Sequence, residues 1–343
     1  MPAELLRAIE RSPGLRDFRL EAGASRPGSD LWRARAVVEG RPRRLVVKVI
    51  RFLRPEDESV RAHAARAQAE FDTLRRLRRD LQPWPDLRVP EPIMCLPEHR
   101  ALILEEVGGE TLKHLVLRQA QRPGSAQGWR RITDGFRAAG RWLGVIQSLE
   151  QGPRERLDLE GMLAYDEVRL QRLVALGCLR PRLADGVRAE SRRLRDRLLD
   201  GPALDSVFVH GDFCPSNMLL DGDTLVVLDF TMVERGSTHQ DLTYCFEYLE
   251  RFMNRLLDRP FIRRRVIREL QAALLDGYRE RMPISDPLFR LHQIRHHLNY
   301  LVNMHEPALG PRRWVARFDR WRARRGLEAW LDGRGASPAG ARP

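Results

Sequence analysis

The sequence predicts an α+β protein of two lobes, a small lobe built on five antiparallel strands with one inserted helix, then a larger and mostly helical lobe. Three observations carry this. Strand-like runs fill residues 17–50 and are followed by a long amphipathic stretch; two more apolar runs lie between 92 and 107; and after Gly108 and Gly109 the pattern turns helical. A chain of 343 residues suits about two domains at roughly 100–200 residues each.

The opening stretch MPAELLRAIERSPG reads as a helix carrying both charges, without the basic stub and long apolar core of a signal peptide. DFRLEAG (17–23), LWRARAVVEG (31–40) and RRLVVKVI (43–50) read as a meander of strands, parted by ASRPGSD and by the turn-like EGRPR. In SVRAHAARAQAEFDTLRRLRRDL (59–81), Ala65, Ala69, Phe71, Leu74 and Leu77 recur at helical spacing, with arginines on the remaining face. PWPDLRVPEP forbids helix, and PIMCLP and RALILEEV (100–107) supply the last two strands. TLKHLVLRQA, then 129–150 and further segments to residue 200, read as helices, as do RVIRELQAALLDGYRERM and FRLHQIRHHLNYLVNM. The expected division is 1–106 for the first lobe, 107–330 for the second, and a flexible tail at 331–343.

Composition excludes several classes. No run of about eighteen apolar residues is present, so a cytoplasmic protein is expected. Cys95, Cys178, Cys214 and Cys245 are scattered singly, which suggests neither a zinc site nor a disulfide framework. The formal charge of +13 comes almost entirely from arginine, since Lys48 and Lys113 are the only lysines. Such uniform arginine usage reflects coding bias, so the charge is no argument for nucleic acid, and no nucleic-acid module is recognisable. Neither lysine follows a glycine or precedes Ser or Thr, so there is no Walker A loop, and no G-x-S-x-G elbow appears.

The informative segment is VFVHGDFCPSNMLLDGDTLVVLDF (207–230): a short strand, a loop with Asp212 and Asn217, a hairpin turned at Asp221-Gly222-Asp223, and a strand ending at Asp229. Asp212, Asn217 and Asp229 are hard oxygen donors on loops between strands, a set suited to Mg²⁺ shared with substrate phosphates. D-x-x-x-x-N followed by Asp-Phe is the arrangement of the protein-kinase catalytic loop and its metal-binding Asp. That chemistry asks for a lysine on the third strand paired to a glutamate on the next helix. Lys48 sits in Leu-Val-Val-Lys-Val-Ile, where a lone charge is costly without a partner. Glu70, on the face of Leu74 and Leu77, is the candidate partner, and Glu110 is the rival.

With HGDFCPSNM, VLDF, RALILEEVGGETL, GRWLGVIQSLE and LLDGYRE in place, the sequence resembles the aminoglycoside phosphotransferase-like family of small-molecule kinases (the choline-kinase type included) over roughly residues 17–305. The resemblance implies a bilobal protein-kinase-like fold and an ATP- and Mg²⁺-dependent kinase that phosphorylates a hydroxyl of a small molecule, a sugar, amino sugar or related alcohol. It implies Asp212 as catalytic base, Asn217 and Asp229 as magnesium ligands, and Lys48 as the lysine on the phosphates. Backbone groups of Glu105 and Val107 would hold adenine, and Asp241 would brace the catalytic loop. There are departures: Gly23-Ala-Ser-Arg-Pro-Gly28-Ser is not G-x-G-x-x-G, Thr231 replaces the Gly of Asp-Phe-Gly, and Gln147 stands where relatives often carry His.

Blander readings apply elsewhere. His210 reads as a brace, Cys214 as a packing residue, and His292, His296 and His297 as core or cleft histidines without a metal pattern. PRRWVARFDRWRARR (311–325) places Trp314, Phe318 and Trp321 at helical spacing among seven arginines, a terminal helix docked on the large lobe or a membrane-surface contact. Glu234, Glu247 and Glu250 permit an acidic cleft for a polycation. Two alternatives accompany the small-molecule kinase: a kinase of a lipid-linked or cell-surface glycan at the membrane, and a nucleotide-binding pseudokinase acting as an interaction module.

Overall fold

The computed structural model of the chain describes residues 1–26, 28–51, 60–121, 126–149, 157–201, 206–252, 264–278 and 286–305, with position 262 and six positions between 321 and 331. Most of the arginine-rich stretch 311–325 and of the expected tail at 331–343 lies outside the described residues. In chain order the elements are α1 (Ala3–Glu10), β1 (Leu15–Arg26), β2 (Ser29–Val38), β3 (Arg41–Ile50), α2 (Val60–Asp80), β4 (Leu87–Arg88), β5 (Pro92–Leu96), β6 (Ala101–Glu105) and β7 (Glu110–Thr111). Then come α3 (Leu112–Gln121), α4 (Ala126–Leu149), α5 (Leu159–Ala175), α6 (Pro181–Leu199), β8 (Val207–Val209), β9 (Met218–Asp221), β10 (Thr224–Val227), β11 (Glu234–Gly236), α7 (Gln240–Phe252), α8 (Arg264–Tyr278) and α9 (Pro287–His305).

Two compact units result. The first takes Met1–Thr111 together with Asn217–Val233, rather than a single cut after residue 106. Strand pairing is the reason: β9 and β10 form a hairpin, β10 runs parallel to β4, and β9 pairs with β7, giving the sheet β4-β10-β9-β7. The hairpin turns at Gly222, φ +62°, as the Asp-Gly signal requires. The expected last strand stops at Val227, short of Asp229.

The main sheet of this unit is antiparallel, in the order β1-β2-β3-β6-β5. Period-two alternation sends Leu45, Val47 and Val49 of β3 to one face, where Leu5 and Ile9 of α1 cover them with Ala36 and Ile103. Lys48 falls on the opposite face. The ladder of β1 and β2 continues to Arg26↔Ser29, so most of ASRPGSD is strand rather than connection. Ser25 bonds Asp30, and Arg51 clamps both Ser25 and Asp30. On α2 the buried face is Ala67, Glu70, Leu74 and Leu77, with Leu81 just beyond its end; Ala65 and Ala69, expected on the apolar face, are exposed. Alanine fits either environment, and the helix turns so that Glu70 is buried instead.

The second unit comprises Leu112–Ser216 and Glu234–Pro343. Its core packs Leu291, Ile294, Leu298 and Leu301 of α9 against α5 and α6. Helices α4 and α8 meet backbone to backbone: a Cβ on Gly140 would lie 1.9 Å from the Leu274 carbonyl, and one on Gly277 1.8 Å from that of Arg137. Strand β8, paired with β11, leads into the loop that carries Asp212.

Candidate active site

The expected residues divide between the units. Lys48, Glu70, Glu105, Val107, Asn217 and Asp229 belong to the first, and Asp212 to the second.

In the first unit, Lys48 lies mid-strand between Leu31 of β2 and Leu102 of β6, and only 5% of it is exposed. Its Nζ donates to both Glu70 carboxylate oxygens, to Asp229 Oδ1 and to Thr231 Oγ1, each at 2.8 Å. The partner is therefore Glu70 rather than Glu110. Burial works against the ammonium, but the Glu70 and Asp229 carboxylates outweigh it and raise its pKa. Glu70 Oε1 also accepts the Phe230 N–H at 3.1 Å, which ties α2 to the segment after β10. Asp229 has φ +67°, a conformation that costs a non-glycine residue about 1–3 kcal/mol and recurs at functional sites. Asn217 is buried, and its carbonyl accepts the Leu228 N–H at 2.8 Å, fixing the start of β9 beside the end of β10.

Glu105 ends β6, with its N–H taken by the Glu91 carbonyl at 2.8 Å and its carboxylate turned to Arg88. Val107 lies past the end of β6, and Gly109, φ +91°, follows. A Cβ on Gly109 would sit 2.1 Å from the Leu220 carbonyl, so that position needs glycine.

In the second unit, the loop bearing Asp212 is braced from beneath. Asp241, fully buried at the start of α7, accepts the His210 N–H at 2.6 Å and the Gly211 N–H at 2.9 Å. Burial pushes its carboxyl up to about 7, although both N–H groups favour the ionised form. His210 is fully buried, its Nδ1 accepts the Asp212 N–H at 3.2 Å, and its ring packs against Trp142 and Phe213. Sequence reasoning missed Tyr244, whose hydroxyl bonds the Asp212 carboxylate; burial, then Asp212, raises the phenol's pKa. The available signal was its place three residues after Asp241 on one helix. Cys214 is buried, with Sγ 3.7 Å from Asp212 Oδ1 and 3.1 Å from Ser216 Oγ.

The acids expected to permit a polycation site already have partners. Glu247 accepts from Gln293 and faces His297 Nδ1 at 3.5 Å, Glu250 accepts from Gln271, and Glu234 from Gln240. His292 is buried against Ser237, and burial drives its pKa well below the ordinary histidine range. Gln147 donates to the Thr238 carbonyl and accepts from Tyr278. Among the described residues, no group of three or more His, Cys, Asp or Glu is placed to hold a metal by itself.

A family model described as "Phosphotransferase enzyme family" matches residues 32–284. The chain belongs to that family. This phosphotransferase has an α+β, protein-kinase-like fold, and small-molecule kinases are among the solved structures that share it. It is 15% identical to the aminoglycoside phosphotransferase APH(4)-Ia, covering 98% of this chain and 99% of that one at a TM-score of 0.57. It is 14% identical to choline kinase from Cryptosporidium parvum Iowa II, covering 98% of each at 0.56. Amicoumacin kinase hAmiN, in complex with AMP-PNP, Ca²⁺ and Ami, is 12% identical over 99% of this chain and 98% of that one, at 0.56. No curated protein matches the sequence. Among the described residues, no helix is long and apolar enough to cross a membrane.

Proposed function

We propose that the phosphotransferase is a kinase that moves the γ-phosphoryl group of ATP to a hydroxyl of a small molecule. The observation that carries this is the cluster in which buried Lys48 and Glu70 meet the partly exposed Asp229, one cation held by two carboxylates on a strand, a helix and a loop. A buried ion pair adds little stability over apolar side chains of the same size, so its retention fits a role in holding a charged ligand. Lys48 would give N–H donors to the triphosphate, and Glu70 would keep it aimed. Asp229, 40% exposed and with Oδ1 already anchored, and the carboxamide of Asn217 offer oxygen donors of the kind Mg²⁺ takes together with phosphates. When bound, the ion supplies neutralisation of charge on the phosphates.

Asp212 would accept the proton of the attacking hydroxyl as the new O–P bond forms and the bond to the β–γ bridging oxygen breaks, leaving ADP. Most of the rate would come from positioning, since this chemistry asks for little covalent work from the protein. Asp241 and His210 hold that carboxylate's loop in place. A sugar, amino sugar or related alcohol is the proposed acceptor. The similar folds of kinases named for an aminoglycoside, choline and amicoumacin support a small molecule. A cytoplasmic site of action is in keeping with four free cysteines.

The test is thermal unfolding with ATP and Mg²⁺, for the wild type and Asp229→Ala, followed by ADP release across a panel of sugars and aminoglycosides. Stabilisation by Mg-ATP that is lost in the variant, with acceptor-dependent ADP release, is expected. No stabilisation of the wild type would sink the nucleotide reading.

A further inference from the structure

The residue that breaks the Asp-Phe-Gly pattern takes part in the charged cluster. Thr231 Oγ1 accepts one Lys48 N–H at 2.8 Å and stands 2.7 Å from Asp229 Oδ1 and 3.1 Å from Glu70 Oε2. A hydroxyl has one hydrogen to give, and the shorter contact directs it to Asp229. Lys48, Thr231 and Asp229 then form a closed ring, because Lys48 also donates to Asp229 Oδ1. That oxygen is held by two donors, one charged and one neutral. The bond from residue 231 back to residue 229 closes over Phe230 and ends on the residue with φ +67°. Threonine suits the task because its branched Cβ limits χ1, presenting the hydroxyl in few orientations. Glycine at this position would provide neither the bond nor the stiffness.

We propose that Thr231 is a positioning residue for the divalent cation: its hydroxyl orients the Asp229 carboxylate before nucleotide arrives. The inference rests on the nucleotide reading above. Its consequence is confined to cation dependence: a chain without the hydroxyl must order Asp229 on binding and so needs more Mg²⁺ to hold the same nucleotide.

The experiment is a Mg²⁺ titration of the melting-temperature shift given by ADP and by the non-hydrolysable analogue AMP-PNP. It is run on the wild type, Thr231→Val (same shape, no hydroxyl) and Thr231→Ser (hydroxyl kept). Thr231→Val is expected to raise the Mg²⁺ concentration at half-maximal shift about five- to tenfold, the worth of one good hydrogen bond. The maximal shift at saturating Mg²⁺ should be retained, and Thr231→Ser should return the midpoint to within about twofold of wild type. If Thr231→Val does not fold, Thr231→Ala removes the same hydroxyl with less bulk and is read in the same way. A wild type that shifts normally beside a Val or Ala variant with an unchanged midpoint overturns the role of Thr231 and leaves the nucleotide site standing. A midpoint raised equally in Val and Ser would mean that keeping the hydroxyl does not preserve the cation site, and also overturns it. A wild type without any Mg²⁺-dependent shift overturns both readings.

Discussion

Each unit buries an ionic cluster, and the two are closed to different degrees. In the first, Lys48 meets two carboxylates and a hydroxyl, and Glu70 takes a backbone N–H besides. In the second, Asp166 of α5 faces Arg295 of α9 at 3.3 Å through Oδ1, while its buried Oδ2 has no hydrogen-bond partner among the described residues. Burial pushes Asp166 up to about 6 despite Arg295 and Arg169. Arg295 divides its donors between that carboxylate and the Met162 carbonyl and lies over the Tyr165 ring. The contrast separates two uses of buried charge. In the saturated set the carboxylates raise the pKa of the lysine, whereas burial raises that of the under-bonded carboxylate, which takes up its proton at a higher pH than an ordinary aspartate.

Breaking the saturated cluster should have the largest effect. Lys48→Ala leaves Glu70 buried without its cation, which is expected to cost about 3–5 kcal/mol in urea unfolding. The same variant should lower kcat/KM about 10²–10³-fold, the usual result of removing a charge-stabilising donor. The pair Lys48→Met with Glu70→Leu sharpens the comparison. It should recover most of the stability and none of the activity, because apolar side chains replace a buried ion pair well but cannot bind phosphate. Recovery of activity in that pair would show that the cluster is a packing device.

Asp241 is another buried carboxylate, and it lies between the two extremes. It has no cation, yet it accepts two backbone N–H groups of the loop that carries Asp212. Asp241→Ala strands both donors, each at about 1–3 kcal/mol, and should lower kcat while slackening the loop. Proteolysis or hydrogen exchange at residues 210–212 would locate the loss. Protection unchanged from wild type would mean that the loop holds itself.

Lys48 was legible in the sequence because it is one of two lysines and stands amid β-branched residues, and Glu70 because helical spacing put it beside Leu74 and Leu77. The five-stranded sheet was legible for the same kind of reason: its strands are long enough to show a period. Strands β4 and β7, of two residues each, are too short to show one, and their pairing with β9 and β10 joins residues more than a hundred positions apart. The return of 217–233 to the first unit was therefore hidden. The burial of α2 was read one step off because Ala65 and Ala69 fit either face. Thr231 registered only as a departure from a pattern, since its value lies in three distances that no local signal encodes. Tyr244 was hidden likewise, as its partner Asp212 is on a loop thirty-two residues earlier.

The under-bonded cluster makes a prediction about pH. Asp166 titrates near 6 in the folded chain against 3.8 for an ordinary aspartate. Between those values the native state binds more protons than the unfolded one, so this group's contribution to stability is complete below about pH 4 and is lost as pH rises through 6. Asp166→Asn has no such proton to lose and can still accept from Arg295. The unfolding free energy of wild type relative to the variant should fall by at most about 3 kcal/mol from pH 4 to pH 7. Parallel pH profiles for the two chains would mean that Arg295 keeps Asp166 ionised throughout, and the contrast between the clusters would then disappear.

The smallest expected effect is at Tyr244, and it asks whether the second unit has its own version of the Lys48 ring. The buried phenol bonds the Asp212 carboxylate, and its ring packs on His296, centroids 5.1 Å apart. Tyr244→Phe keeps the ring and removes one hydrogen bond, worth about 0.5–1.5 kcal/mol. If that bond orients the proposed base, kcat should fall up to about tenfold while KM for ATP stays put, since every residue assigned to the nucleotide belongs to the first unit. If the phenol instead reads the acceptor, KM for the acceptor should rise and kcat hold. A fall in melting temperature with neither constant changed would make the bond purely a matter of packing. The place of Asp212 would then rest on its own N–H bond to His210 and on Asp241 beneath the two preceding residues, whereas Asp229 is tied through its side chain to Lys48 and Thr231.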